Sequence, residues 1–104
     1  MSIGHVITFT FLPGTSPETI TRLTDALDTL AASSEGIESY RHGRDLEFRH
    51  GNADYAIAAV FRDRAALTAY LAAPQHLRLV TDLVEPHVTA KSSVQFECAG
   101  PAQR

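Results

Sequence analysis

The chain of 104 residues has one cysteine, no apolar run long enough to cross a bilayer, and no excess of positive charge. Each scarcity removes a class of protein. A lone Cys98 cannot close an internal disulfide, and it falls in the terminal "CAGPAQR", which reads as a loose tail where a nucleophile would have no support. A bilayer-spanning helix needs about 20 apolar residues. The opening "MSIGHVITF" lacks the charged segment and cleavage site of a secretory leader, so the chain is expected to be soluble and cytoplasmic. Nine Lys and Arg against twelve Asp and Glu leave a net charge of −3, with no basic surface to gather a phosphate backbone. Neither nucleic acid nor a membrane is expected as a partner. Glycine-rich phosphate loops, a Ser or Cys triad, internal repeats and low-complexity tracts are missing as well, and no cofactor is expected.

What remains is ordinary globular material. A hydrophobic fraction of 44% and a charged fraction of 20% supply one core, and the length fits one domain. That domain is expected over residues 1–98, followed by a tail at 99–104.

Strict alternation in "IGHVITFTF" predicts a strand with Ile3, His5, Ile7, Phe9 and Phe11 on one face and Gly4, Val6, Thr8 and Thr10 on the other. "PGTSP" breaks it, with Ser16 as N-cap and Pro17 at the first helical position, where its missing N–H costs nothing. Ile20, Leu23, Leu27 and Leu30 then form one apolar helical stripe, with Glu18 and Arg22 paired on the outer side. "SSEGI" closes that helix. "IESYRHGRDLEF" reads as a weakly alternating strand whose core candidates are Ile37, Leu46 and Phe48, and "RHGNAD" reads as the turn into the strand "YAIAAVF". Asp63 is placed to cap a helix over "RAALTAYL", which Ala73 and Pro74 interrupt; Pro74 restarts it through about Val84. Val88 to Glu97 supplies the last strand, with Val94 and Phe96 on one face.

This order predicts an α+β fold with helices on one side of the sheet. One strand does not fit a single-sided cover. In "YAIAAVF", Tyr55, Ile57, Ala59 and Phe61 point one way and Ala56, Ala58 and Val60 the other, so both faces are apolar. The chain's own helices cover one face. A second copy is therefore expected to cover the other through two-fold self-association.

At this point the sequence resembles the stress-responsive dimeric α/β-barrel (Dabb) family, within the ferredoxin-like dimeric barrel group. The resemblance runs from about Ile3 to Glu97 and is carried by "HVITFTFLPGTSPETI", "GIESYRHGRDL", "DYAIAAVFRDRAALTAYLAAPQH" and "VEPHVTAKSSVQFE". It implies a ferredoxin-like βαββαβ fold with a four-stranded antiparallel sheet, two copies closing into a dimeric α/β barrel. The family includes stress-induced proteins of unsettled activity and polyketide cyclases of the olivetolic acid cyclase type. In those cyclases a Tyr and a His, spaced as Tyr, two or three residues, Pro, one residue, His, act on the substrate, and a His of the first strand lines the pocket. The matching residues here are Tyr70, His76 and His5. The same pattern is general to the family and does not single out cyclases.

Two readings of these three residues stand side by side. In one, His76 is a general base, since an unperturbed imidazole titrates near 6.5; Tyr70 donates a hydrogen bond to a developing enolate, and His5 assists. The chemistry would be proton abstraction between two carbonyls followed by intramolecular aldol-type closure of a polyketide-like chain, in a small apolar ligand pocket lined by Ile7, Phe9, Leu23, Leu27, Val94 and Phe96. In the other, the same three polar groups form a buried structural network in a non-enzymatic stress or carrier protein, and the apolar residues are core.

Metal binding has less support. His5, His42, His50, His76 and His87 include no pair at the helical i,i+4 spacing of a zinc helix, and no cysteine pair joins them. Arg41, Arg44 and Arg49 gather beside the hairpin and would greet an anion, although a solvated hairpin surface explains them as well.

Overall fold

Alternation and capping translate directly into the elements of the computed structural model, which describes residues 1–99. Strand β1 spans Ile3–Phe11 and helix α1 Pro17–Ser33; strands β2, Ile37–Arg44, and β3, Tyr55–Phe61, follow. Helices α2, Arg64–Ala72, and α3, Pro74–Leu79, lead through a π-helical turn at Val80–Val84 to strand β4, Val88–Glu97. The Ser16 side chain accepts the Thr19 N–H at 3.1 Å with Pro17 opening α1, and Asp63 accepts the Ala66 N–H at 2.8 Å to open α2. Both caps satisfy N–H groups that have no partner within the helix. Cys98 is tied to the sheet, its N–H donating to Ser2 O at 2.9 Å, so it is not part of a loose tail. The tail expected at 99–104 lies, apart from Ala99, outside the described residues.

The four strands form one antiparallel ferredoxin-like sheet in the order β2-β3-β1-β4. In β1 the predicted faces are kept: Ile3, His5 and Phe9 are buried toward the helices with Tyr55, Ile57, Ala59 and Phe61 of β3. From α1, Ile20, Leu23, Leu27 and Leu30 close the core, joined by Leu67 and Tyr70 of α2 and by Leu79 and Val84. The break at Ala73 has a clear cause. Its ψ of 137° is the extended value imposed on a residue before proline, and α3 starts afresh with Pro74 at its first position.

Two expectations from the strand patterns are corrected. Leu46 and Phe48 are not core residues; they are 77% and 85% exposed. The strand ends at Arg44 because the Asp45 N–H donates to Asp54 O at 2.8 Å while the Asp45 carboxylate accepts from Glu47 N and Asn52 Nδ2, which curls residues 45–54 into a loop. Val94 and Phe96 are likewise not on the helix side. They pair with Val6 and Gly4, so they share the opposite face of the sheet, where they are 54% and 46% exposed. The helix-side positions of β4 are Lys91, Ser93, Gln95 and Glu97, the partners of Phe9, Ile7, His5 and Ile3, and all four are exposed.

That opposite face is apolar and uncovered within one chain. Val6 and Val60 are half-buried, Ala56 and Ala58 exposed, and the Phe96 ring lies over Gly4, where a Cβ would come within 2.4 Å of it. Among the described residues no helix is long and apolar enough to cross a membrane.

Candidate active site

His5 enters the core from the middle of the sheet because it alternates in phase with Ile3, Ile7 and Phe9, and it is 5% exposed. A buried imidazole requires a partner, and the neighbouring strand provides one: Gln95, directly opposite on β4, puts its Nε2 3.0 Å from His5 Nδ1. Above His5 stands Tyr70, in the last turns of α2, with ring centroids 6.1 Å apart and the rings edge to face. The Pro74 break turns the chain so that His76, six residues later, lies against the same ring at 5.0 Å. Tyr70, His76 and His5 are thus brought together. Ile7 and Phe9 from β1, and Leu23 and Leu27 from α1, are on the same helix-facing side; Val94 and Phe96 are not.

The Tyr70 hydroxyl does not meet His76. It shares a hydrogen bond of 2.7 Å with the hydroxyl of Tyr40 on β2. Burial pushes the Tyr40 phenol far above its usual range, with the nearby Tyr70 hydroxyl adding to the effect. Burial also raises Tyr70, an effect its bond from Tyr40 partly offsets. Both imidazoles move the other way. Burial lowers the pKa of His5, and the neighbouring His76 lowers it further. For His76 burial again dominates; the Leu71 backbone opposes it, and Lys91 on β4 adds to the lowering. His76 Nδ1 is buried, and among the described residues no side chain bonds to it. Neutral imidazoles beside a protonated phenol are therefore the resting state near pH 7.

A second polar chain continues along β2. His42 Nε2–H donates to the Asp28 carboxylate at 2.7 Å, its Nδ1 is 2.7 Å from the Tyr55 hydroxyl, and that hydroxyl reaches Thr24 Oγ1 at 2.8 Å. The His42 ring meets Tyr40 edge to face at 5.8 Å. Tyr40, His42, Tyr55, Thr24, Asp28 and Gln95 are absent from the sequence-derived site. A usable signal existed for two of them: Tyr40 and His42 alternate along β2, and their in-register partners Ala59 and Ile57 face the core. Among the described residues no cluster of three or more His, Cys, Asp and Glu side chains is arranged to hold a metal.

Clefts approach the cluster from two sides. One of about 340 Å³ opens between the end of α1 and α2 and reaches Tyr70, with Ser34, Arg62, Ala66 and Gln75 in its wall. Another, of about 310 Å³, lies between α2 and β4 and reaches Gln95, the partner of His5.

The model of the Dabb family, the stress-responsive A/B barrel domain, matches residues 3–98. The chain belongs to the Dabb family. The match spans both strands and helices that carry the cluster. Among solved structures it is similar to a dimeric ferredoxin-like protein of unknown function from Thermobifida fusca, at 26% identity and a TM-score of 0.86 over 94% of this chain and 92% of that one. A hydroxynitrile lyase from Passiflora edulis superposes with a TM-score of 0.84 at 13% identity, covering 98% and 97% of the two chains. SnoaB, a cofactor-independent oxygenase from Streptomyces nogalater, gives 0.77 at 19% identity over 99% and 98%. These last two likenesses are of fold. No match was found among curated proteins.

Proposed function

We propose that this Dabb protein is a cytoplasmic homodimer that binds a small, mostly apolar molecule on the helix side of its sheet and performs acid/base chemistry on it. The observation that carries the reading is the convergence of His76 and His5 on the Tyr70 ring, which one of the two clefts reaches. A neutral imidazole is a base at whichever ring nitrogen carries no proton. Placed against a methylene between two carbonyls, it removes one proton and leaves an enolate; the enolate carbon attacks a carbonyl further along the same chain, and that carbonyl oxygen takes up a proton. The Tyr70 hydroxyl suits the developing oxyanion, because when Tyr40 donates into the Tyr70 oxygen the Tyr70 proton remains free to donate. No oxidant enters this sequence. That the fold also serves a hydroxynitrile lyase and a cofactor-independent oxygenase supports its use for catalysis.

Self-association follows from the apolar outer face, and structural neighbours described as dimeric support it. A second functional reading is favoured by the Tyr40 bond itself: a Tyr70 hydroxyl already satisfied at 2.7 Å is what a structural network in a carrier or stress protein requires. The two readings separate on His76→Ala. With a linear 2,4,6-trione bearing an apolar tail as probe and ring closure followed by absorbance, the enzyme reading expects turnover to fall about 100-fold or more with the melting temperature retained. Absence of turnover in the parent protein, with a lowered melting temperature in the variant, would establish the network instead.

A further inference from the structure

The two histidines of the cluster do not have interchangeable surroundings. Among the described residues no side chain bonds to His76 Nδ1, whereas His5 Nδ1 faces an amide. The His5–Gln95 contact is not a chance meeting of long side chains. Their Cα atoms are direct partners in the β1–β4 ladder, flanked on both sides by paired rungs, so both side chains leave the sheet on its helix side from a fixed register. Gln95 is itself exposed and forms part of the wall of the cleft between α2 and β4, with Leu67, Leu71 and Phe96; its amide thus stands between that cleft and the buried His5 ring. The Arg64–Glu97 ion pair at 3.0 Å involves two further residues of the same cleft.

An amide nitrogen only donates. With Gln95 Nε2 3.0 Å away, His5 Nδ1 must present its lone pair, and the single proton of a neutral imidazole is then on Nε2. We infer that Gln95 is a positioning residue that locks His5 as the Nε2–H tautomer, so that His5 serves the site as a hydrogen-bond donor and His76 is its only base. The groups around His5 keep it there. The facing groups are Tyr70 and His76 from the helices and Gln95 from β4; the adjacent helix-side carboxylate on β4, Glu97, is paired with Arg64 at 3.0 Å. When His76 has taken a proton, the new positive charge makes a second protonation at His5 still less favourable, and the Nε2–H stays available to an oxyanion. The division of labour deepens the acid/base reading and specifies the ligand: it carries at least one carbonyl oxygen close to the carbon that loses its proton.

The experiment is a long-range ¹H–¹⁵N correlation on the intact protein with ¹⁵N-labelled histidine, at pH 8, without ligand. The inference expects His5 Nδ1 to resonate as a bare ring nitrogen and Nε2 as a protonated one. In Gln95→Glu the carboxylate accepts from the ring, and the two resonances are expected to exchange character; in Gln95→Leu both move toward intermediate, tautomer-averaged positions. The conservative Gln95→Asn, too short to span the same gap, is expected to behave as Leu. A proton on Nδ1 in the parent protein, or a tautomer unchanged in Gln95→Glu with a native amide spectrum, would overturn the inference. Because no substrate enters this measurement, it fails separately from the functional reading: a locked tautomer with no turnover removes the enzyme and leaves Gln95 as argued, and a reversed tautomer with His76-dependent turnover does the opposite.

Discussion

Gly36 shows how one residue holds the turn between α1 and β2. Its φ is +78°, a Cβ there would lie 2.6 Å from the Ala66 methyl, and its carbonyl accepts the Arg62 N–H at 2.7 Å. Ala66 is buried in α2 and cannot move aside as a flexible surface chain would. Gly36→Ala is therefore expected to destabilise by about 1–3 kcal/mol, read as a lower denaturant midpoint with an unchanged slope. The role of this glycine was visible in "SSEGI" only as a helix stop; its contact with Ala66 belongs to the folded chain. The same limit applies to the cluster. Tyr70, His76 and His5 stand at a recognisable spacing, but the Tyr70 hydroxyl's partner comes from Tyr40, 30 residues away, and His5's from Gln95, 90 away. Partners so distant in the chain are fixed by strand register, which alternation alone does not give.

The strands and helices were legible in proportion to the punctuation around them. Ser16-Pro17, Asp63 and Pro74 set three helix starts correctly because capping and proline act locally. The far end of β2 was misread because "DLEF" keeps an alternating pattern after the chain has already curled onto Asp54. β4 was placed but given the wrong face, since its apolar set, Val94 and Phe96, serves the outer side and its polar set lies over the core edge. The π-helical turn was not foreseen. Leu79 and Val84, five residues apart, would diverge by roughly 140° around an α-helix of 3.6 residues per turn. One wider turn, with Glu85 N–H donating to Val80 O at 2.9 Å, brings both into the core.

β1 and α3 jointly set the acid response. Burial holds the pKa values of His5 and His76 in the folded chain below the ordinary imidazole value of about 6.5, which is the value expected for the unfolded chain. The unfolded state thus takes up protons that the folded state refuses. This contribution to stability is fully present above about pH 6.5 and is lost as the pH falls from there toward the depressed folded values. Melting followed by circular dichroism from pH 8 to pH 5 is expected to show the decline, and a His5→Gln, His76→Gln double variant to flatten it.

For the molecule as a whole the outer face decides the assembly. Ala58 sits at its centre, beside Val6 on one strand and Arg41 on the other, with an exposed side chain that takes no part in the core. By light scattering the parent chain is expected to be a dimer and Ala58→Glu a folded monomer at the same concentration; a dimer of unchanged mass in the variant would place the interface elsewhere. The strand order carries a further consequence, for the history of the chain as it is made. β1 lies between β3 and β4, so the first strand to leave the ribosome can take neither neighbour until residues 55–61 and 88–97 have followed it. Until then its backbone groups are open and its apolar face of Ile3, Ile7, Phe9 and Phe11 is uncovered, and contacts this distant in sequence form slowly. The moment of greatest exposure to aggregation therefore comes before the domain is finished, and it is in the nascent chain, more than in the folded one, that a chaperone would find something to hold.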